Sequence, residues 1–173
     1  MTSTGPNCQR YNFTHMFDFV DLRGKLPEKK YKKGSIMFLI ENHPDFSRFY
    51  YIIKLAVMDN ILDNLQADFT LFIPSDTELK YRNIQEDFYV NMDQGTARHI
   101  VLSSLLDARI PSEILKDSPA TYFITKDPPN RLFITNINEK TRINNLFNVI
   151  HYDIVCNNGI IHVVDGMINP IQL

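Results

Sequence analysis

The chain has 173 residues, a mass of 20.2 kDa and a formal net charge of −2, with 44% hydrophobic and 22% charged residues. These values are ordinary for one globular domain, and no window approaches the roughly eighteen uncharged apolar residues that suggest a membrane-spanning helix. Two cysteines, Cys8 and Cys156, are too few for a disulfide framework, so we expect free thiols in a reducing compartment.

Isoleucine and asparagine are unusually frequent. The chain contains 20 Ile and 16 Asn against 5 Ala and 6 Gly. Because Ile and Asn have AT-rich codons, this bias indicates an AT-rich genome, such as those of many large DNA viruses, some protists and some bacteria. The N-terminus has no basic start followed by an apolar run, so no secretory signal is seen and we expect an intracellular or virion location.

The first 34 residues differ in charge from the rest. They hold seven Lys and Arg residues and three acids, a net charge of +4, which leaves −6 for the remainder. Phe13, Met16, Phe17 and Val20 recur at the spacing of a short amphipathic helix. Such a short helix is marginal alone, so we expect it to dock on its own domain or on a neighbouring protein. The sequence therefore predicts a basic N-terminal arm, residues 1–34, and one domain, residues 35–173.

The basic residues of the arm have two interpretations. They form either a solvated loop or a salt-sensitive contact with nucleic acid or another anionic surface. No recognised nucleic-acid motif accompanies them, so no specific nucleic-acid partner is predicted. The candidate partner contacts are Phe13, Met16, Phe17, Val20, Arg23, Lys25, Lys29, Lys30, Lys32 and Lys33.

The first elements after the arm are predicted to be helical. Asp45 or Ser47 is expected to cap a helix that runs to about Leu65. Its buried stripe is predicted to contain Phe46, Phe49, Tyr50, Ile53, Val57, Ile61 and Leu65.

A strand, residues 69–73, is predicted next and ends at Pro74. The sequence Ser75-Asp76-Thr77-Glu78 is a capping box, in which the serine and glutamate side chains satisfy free backbone donors and start a second helix. These polar residues therefore have a predicted structural role.

The second half of the chain is predicted to be mainly strands. A helix from Thr96 to about Leu106 and a short turn or helix at Pro111 come first. Short strands follow over 121–125, 131–134, about 141–143 and 147–156, with a hairpin turn signal over 127–130. Helices followed by strands indicate an α+β fold.

The last strand carries one histidine. Asn158-Gly159 is expected to reverse the chain with a positive φ before the β-branched run 160–164. Both faces of this run are largely apolar, which predicts a strand buried on both sides. His162 is then either a structural histidine that hydrogen-bonds the backbone, which we favour, or a ligand or catalyst.

Two segments together carry a family resemblance. Residues 69–76 and 157–166, the latter followed by a proline, resemble the two signature segments of the fasciclin-like domain family, in the usual order and separation. The motif residues are Thr70, Phe72, Pro74, Ser75, Asp76 and Glu78 in the first, and Asn158, Gly159, His162, Asp165 and Pro170 in the second. The resemblance implies an α+β, fasciclin-like fold: a short-stranded β wedge or sandwich with helices packed along it. It also implies adhesion or protein–protein contact without catalysis.

No chemistry emerges from the remaining residues. The five histidines are scattered and the glycines form no phosphate-binding loop. His99, Ser103 and Asp107 share one face of a predicted helix, but helix surfaces produce such triples by chance. We therefore predict a protein without enzymatic activity, metal site or cofactor.

Three functions remain open. The preferred hypothesis is a non-catalytic protein–protein interaction module in a large assembly, specifically a minor capsid protein in the virion of a large DNA virus. Its partners would be other proteins of the assembly, such as capsid proteins, bound through the arm and the domain surface. The alternative is a cell-adhesion or surface-binding module. A more distant alternative is a lipid or small-molecule carrier that uses an apolar crevice.

Overall fold

The computed structural model describes residues 30–82, 91–117, 119–126 and 130–168. Within these ranges the helices are α1 (Ile36–Asn42), α2 (Ser47–Leu55), α3 (Asp59–Leu62), α4 (Asp76–Tyr81), α5 (Gln94–Ser103) and α6 (Ser112–Leu115). The strands are β1 (Phe69–Pro74), β2 (Leu105–Leu106), β3 (Ala120–Ile124), β4 (Arg131–Ile137), β5 (Lys140–Ile143), β6 (Phe147–Cys156) and β7 (Gly159–Val164). The predicted α+β class is confirmed.

The seven strands form one sheet in the order β2-β1-β7-β6-β5-β4-β3. Strands β1 and β7 are parallel, with Phe72 opposite His162, and the other neighbours are antiparallel. Beyond the end of β3, the Lys126 N–H donates to the Leu105 carbonyl oxygen at 3.0 Å. This bond connects the two edges of the sheet, which therefore comes close to closing as a barrel.

Strands β1 and β7 separate two hydrophobic cores, because alternate side chains of a strand point to opposite faces. The larger core lies between the helices and the face that carries Leu71, Ile73, Ile161 and Val163. The smaller core fills the interior of the sheet. It contains Phe72, Leu106, Leu115, Leu132, Ile134, Ile143, Val149, Val164 and Ile168. The prediction that the last strand is buried on both sides is confirmed, since all six residues of β7 are buried.

The single helix predicted from residue 45 or 47 to about 65 is wrong. The helix ends at Leu55, Val57 adopts a φ of +56°, and α3 restarts at Asp59. The left-handed residue changes the direction of the chain, so the helical spacing does not continue past it. The first four residues of the predicted stripe are buried, but Val57, Ile61 and Leu65 are exposed.

Local capping was also misassigned for α2. Its N-cap is Phe46, which has no side-chain hydrogen bond, and the free N–H groups of α2 are bound by Asp76 from a distant part of the chain. By contrast, Ser75 caps α4 as predicted, because its hydroxyl accepts from the Glu78 N–H at 3.2 Å. Helix α1 was not predicted, although Ser35 caps it by accepting from the Phe38 N–H.

Two further boundaries differ from prediction. Helix α5 begins at Gln94, after the cap Asp93, and ends at Ser103 instead of reaching Leu106. The last two residues of the predicted helix, Leu105 and Leu106, instead form β2 and pair with β1. Strand β6 has the predicted bounds, whereas β4 continues to Ile137.

The predicted positive φ at the last turn is wrong. Residues 157–159 are outside the left-handed region, which among the described glycines is occupied by Gly34 at +89°. Gly159 is required for a different reason. A Cβ at this position would lie 2.4 Å from the Phe69 carbonyl oxygen and 2.7 Å from Ile36 Cδ1. The glycine therefore allows β7 to approach β1 and α1 closely.

Candidate functional site

The residues proposed as partner contacts fall largely outside the described chain. Phe13, Met16, Phe17, Val20, Arg23, Lys25 and Lys29 all lie there. Lys30, Lys32 and Lys33 are described and exposed, in the segment that leads into α1. These three residues are called the basic segment below. The extent of the arm, residues 1–34, stays a prediction.

A buried tyrosine anchors the basic segment to the domain. Tyr31 is 7% exposed, and its hydroxyl donates to Asp59 Oδ2 at 2.8 Å and accepts from Lys54 Nζ at 3.0 Å. Burial, together with the hydrogen bond to Asp59, raises the pKa of this tyrosine well above its ordinary value. The phenol therefore stays protonated and keeps its donor across the physiological pH range.

Asp63 fixes the segment at a second point. Its Oδ1 accepts from the Lys32 N–H at 2.9 Å and from the Ser35 hydroxyl at 2.8 Å. The Gly34 carbonyl oxygen also accepts from the Asn157 N–H at 2.7 Å. The backbone of the basic segment is thus held against the domain while its lysine side chains are exposed.

Asn158 connects three elements in the interior. It is fully buried, its Oδ1 accepts from the Ile36 N–H at 2.8 Å, and its Nδ2 donates to the carbonyl oxygens of Leu62 at 2.8 Å and Asn64 at 3.1 Å. These groups lie at the start of α1, at the end of α3 and in the loop after it. One side chain therefore satisfies two buried backbone groups, those of Ile36 and Leu62, and adds a bond to the Asn64 carbonyl oxygen, which also accepts from the Ala67 N–H.

Asp76 binds the start of α2. Its carboxylate accepts from the Ser47 N–H at 3.0 Å, the Ser47 hydroxyl at 2.7 Å and the Arg48 N–H at 2.8 Å. In return, Asp45 accepts from the Asp76 N–H at 2.7 Å and from the Thr77 hydroxyl at 3.0 Å. The two helix starts, α2 and α4, are held together by reciprocal capping.

His162 is fully buried, and both ring nitrogens contact backbone groups. Nε2 lies 2.8 Å from the Ile110 carbonyl oxygen, and Nδ1 lies 3.2 Å from the Asp153 N–H. Because Nδ1 must accept from an N–H, the proton is on Nε2 and the ring is neutral. The side chain of this histidine therefore connects β7 to β6 and to the segment before α6.

Thr70 holds the same segment from the neighbouring strand. Its hydroxyl donates to the Ala108 carbonyl oxygen at 2.6 Å and accepts from the Ile110 N–H at 2.7 Å. Asp153, in β6, accepts from the Ser112 N–H at 2.9 Å and from the Ser112 hydroxyl. Burial disfavours ionisation of this carboxyl, but the bonds from Ser112 outweigh it and hold its pKa below the usual value.

Protonation of His162 gives a testable pH dependence. Burial lowers its pKa below 6.5, against the opposing effects of the Ile110 hydrogen bond and the Asp153 charge. The unfolded chain then takes up the proton first, so the free energy of unfolding is expected to fall as the pH drops below about 6.5, by at most about 1.4 kcal/mol per pH unit. Urea unfolding at a series of pH values measures this slope.

A matched pair of variants tests whether His162 causes this dependence of the free energy of unfolding on pH. His162→Gln removes the titrating group and is expected to make the profile flatter between its folded and unfolded pKa values. His151→Gln makes the same substitution at an exposed histidine and is the matched control. An equal slope in both variants would contradict the assignment to His162.

The remaining motif residues are also used internally. Asp165 accepts from the Asn148 N–H and side-chain amide, each at 2.9 Å, and pairs with Arg82 at 3.1 Å. Phe72 lies in the smaller core, and Pro74 is the last residue of β1. Pro170 lies outside the described residues.

The other candidates for chemistry are not assembled into a site. Ser103 is buried at the end of α5, whereas Asp107 lies beyond β2, at 3.5 Å from Lys126. Burial raises the pKa of the Cys156 thiol to about 11, so this cysteine is a poor nucleophile. Over the described ranges, no group of three or more His, Cys, Asp or Glu side chains could hold a metal ion.

Sequence reasoning missed an exposed surface on strands β3, β4 and β5. Its outward side chains are Tyr122, Ile124, Arg131, Phe133, Ile137, Lys140 and Arg142, which together are called the cationic–aromatic face. Leu132, Phe133 and Ile134 are consecutive apolar residues, so the sequence of β4 gives no alternation that would mark one side as exposed. The pairing register, which brings side chains of three strands together, could not be read from the sequence.

A cleft opens where the basic segment enters α1. It has a volume of about 360 Å³ and is lined by Gly34, Ser35, Phe38, Leu39, Asn42, His43, Pro44, Val155, Cys156 and Asn157. Its apolar lining comes mainly from α1 and from Val155, which is exposed. None of the helices in the described part of the chain has the length and apolar character that crossing a bilayer requires.

The fold and these contacts define an α+β scaffold domain whose signature residues are bound to its own backbone. The sequence model of the Fasciclin domain family matches residues 44–170, and the chain belongs to this family. The resemblance inferred from the two segments is confirmed.

Two relatives show the similarity. Human periostin is 25% identical over 125 residues, which are 72% of this chain and 15% of periostin. The structure of a FAS1 domain pair from the insect cell adhesion molecule fasciclin I matches with a TM-score of 0.60 and 25% identity, over 79% of this chain and 51% of that chain. The chain thus spans only part of the length of each relative. The structural similarity confirms the predicted fasciclin-like fold.

Proposed function

We propose that this chain is a non-catalytic protein–protein interaction module that acts as a structural component of a larger assembly. Membership of the Fasciclin domain family supports a role in protein interaction or adhesion. The observation that carries the proposal is the engagement of His162, whose two ring nitrogens are both bound to backbone groups. The most reactive side chain of the signature segments is therefore occupied in the interior.

The surface supplies the features expected of a binding module. The basic segment is anchored through Tyr31 and Asp63 but presents its three lysines outward. A charged segment on an ordered backbone loses little conformational freedom on binding, which favours affinity. We propose that it contacts an acidic surface of a partner protein.

The most specific function that we propose is that of a minor capsid protein in the virion of a large DNA virus. Its support is the excess of Ile and Asn over Ala and Gly in the sequence. Neither relative adds support for a virion or for capsid partners. An intracellular or virion location belongs to the same proposal.

An adhesion or surface-binding module is the second candidate. It is favoured by the similarity to a FAS1 domain pair from an insect cell adhesion molecule. The carrier hypothesis depends on the cleft beside α1, whose volume of about 360 Å³ would admit a small apolar ligand.

Cross-linking in the source cells tests the proposal. The tagged full chain is compared with a Lys30→Glu, Lys32→Glu, Lys33→Glu variant, after amine-reactive cross-linking and size fractionation. We expect the parent chain in a high-mass fraction with defined protein cross-links and the variant mostly lost from it. Parent protein found only as a free monomer would contradict an assembly role. Recovery on the cell surface would favour adhesion, and an apolar ligand in native mass spectra would favour a carrier.

A further inference from the structure

The cationic–aromatic face is a continuous outward surface, separate from the basic segment. The register of β3 and β4 places Tyr122 opposite Phe133 and Ile124 opposite Arg131. Between β4 and β5, Ile137 is opposite Lys140 on the same side of the sheet. The inward residues of the same strands, such as Leu132 and Ile134, are buried in the smaller core. The face is therefore exposed along three adjacent strands.

Its large apolar side chains are unusually exposed. Tyr122 is 57% exposed, Ile124 70% and Ile137 66%. The Tyr122 and Phe133 rings are in contact, with centroids 4.7 Å apart, and the Arg131 guanidinium carbon lies 4.6 Å from the Tyr122 centroid. These contacts order the centre of the face before any partner arrives, which reduces the entropy cost of binding.

The charge of the face has one sign. Arg131, Lys140 and Arg142 are all exposed, and strands β3, β4 and β5 contain no acidic residue. The acid closest to these strands along the chain is Glu139, in the turn between β4 and β5. A symmetric contact between two copies of the face would bring like charges together, so self-association through it is disfavoured.

Exposed aromatic rings, exposed isoleucines and positive charges together favour one class of partner. Aromatic rings and arginines alone would also suit single-stranded nucleic acid, in which bases stack on rings. Ile124 and Ile137 give no such stacking, but they gain from burial against apolar side chains of a protein. We infer that the cationic–aromatic face binds an acidic polypeptide segment that carries apolar or aromatic side chains between its carboxylates. This inference rests on the proposed interaction function and specifies the chemistry of its partner.

The experiment uses the full chain and an immobilised random copolymer of glutamate and tyrosine as the probe. The double variant Arg131→Glu with Arg142→Glu is expected to weaken binding by about tenfold or more, and so is Tyr122→Ser with Ile124→Ser. Arg131→Lys with Arg142→Lys should retain most of the affinity. Binding of the parent chain should fall with rising salt.

The control variant Lys80→Glu with Lys116→Glu makes the same change in net charge at two exposed positions outside both the cationic–aromatic face and the basic segment. It should bind the copolymer within about twofold of the parent chain, in agreement with a local effect. Thermal unfolding of every variant verifies that these exposed substitutions leave the fold intact.

Three results would overturn the inference: no measurable copolymer binding, equal loss in the charge-matched control, or tighter binding of an oligothymidylate than of the copolymer. The last would assign the face to nucleic acid. Each of these can occur while the chain still enters its assembly in the cross-linking experiment, so failure of this inference and failure of the proposed function are distinguishable.

Discussion

Replacing Asn158 with alanine is expected to lower the free energy of unfolding by about 3–5 kcal/mol. The variant leaves the Ile36 N–H and the Leu62 carbonyl oxygen without this partner in the interior, whereas the Asn64 carbonyl oxygen keeps its hydrogen bond from the Ala67 N–H. Each unpaired buried group keeps its desolvation penalty, so the loss exceeds that of two ordinary hydrogen bonds on the surface. Urea unfolding followed by circular dichroism measures the change.

Two further variants separate hydrogen bonding from volume. Asn158→Asp keeps the size of the side chain but replaces its amide donors with an acceptor facing two carbonyl oxygens, so it should destabilise at least as much as alanine. Asn157→Ala, one residue away at an exposed position, should change stability little. If Asn158→Ala is as stable as Asn157→Ala, the proposed role of Asn158 is wrong.

Asp76→Ala is expected to give the second large effect, a loss of about 2–4 kcal/mol. The carboxylate of Asp76 is buried and accepts three hydrogen bonds from Ser47 and Arg48 at the start of α2. Its removal uncaps that helix from across the domain and also loosens the contact between α2 and α4. Chemical unfolding quantifies the loss, and amide hydrogen exchange at Ser47 and Arg48 locates it.

Asp93→Ala is the matched control for this prediction. Asp93 is also an aspartate cap, accepting from the Thr96 N–H at 2.7 Å, but it is exposed and serves only its own helix, α5. Water can replace it, so its loss should be clearly smaller than that of Asp76. Equal effects of the two substitutions would mean that the long-range cap adds nothing beyond a local one.

The elements that could be predicted from the sequence are those fixed by local signals. Strand β1 ends at Pro74 and α4 begins after Ser75 because proline and a serine cap act within a few residues. The strands of the second half were predicted together with the hairpin turn signal over 127–130. The burial of His162 followed from its position within a β-branched run.

The errors arose where distant residues decide local structure. Residues 47–65 have a helical spacing, but Val57 takes a left-handed conformation and the cap of α2 comes from Asp76, about thirty positions later in the chain. Gly159 looked like a turn glycine, whereas the chain needs it for the close approach of Phe69 and Ile36. The cationic–aromatic face depends on the register of three strands, and a single sequence does not carry that register.

The buried signature residues and the exposed surface residues have different roles in this domain. The signature residues Asn158, Asp76 and His162 are buried and bind backbone groups of other elements, which gives a rigid domain. The basic segment and the cationic–aromatic face are exposed on that rigid frame. Substitutions in the first group should therefore act on stability, and substitutions in the second on binding.

Nitrogen-15 NMR of the His162 ring tests this account most directly. The structure predicts a neutral ring with its proton on Nε2, an unprotonated Nδ1 that accepts from Asp153, and a midpoint of titration below 6.5. A ring that titrates at or above 6.5, or exchanges freely between tautomers, would show a solvent-accessible histidine. That result would contradict the claim that the signature segment serves the interior of the domain.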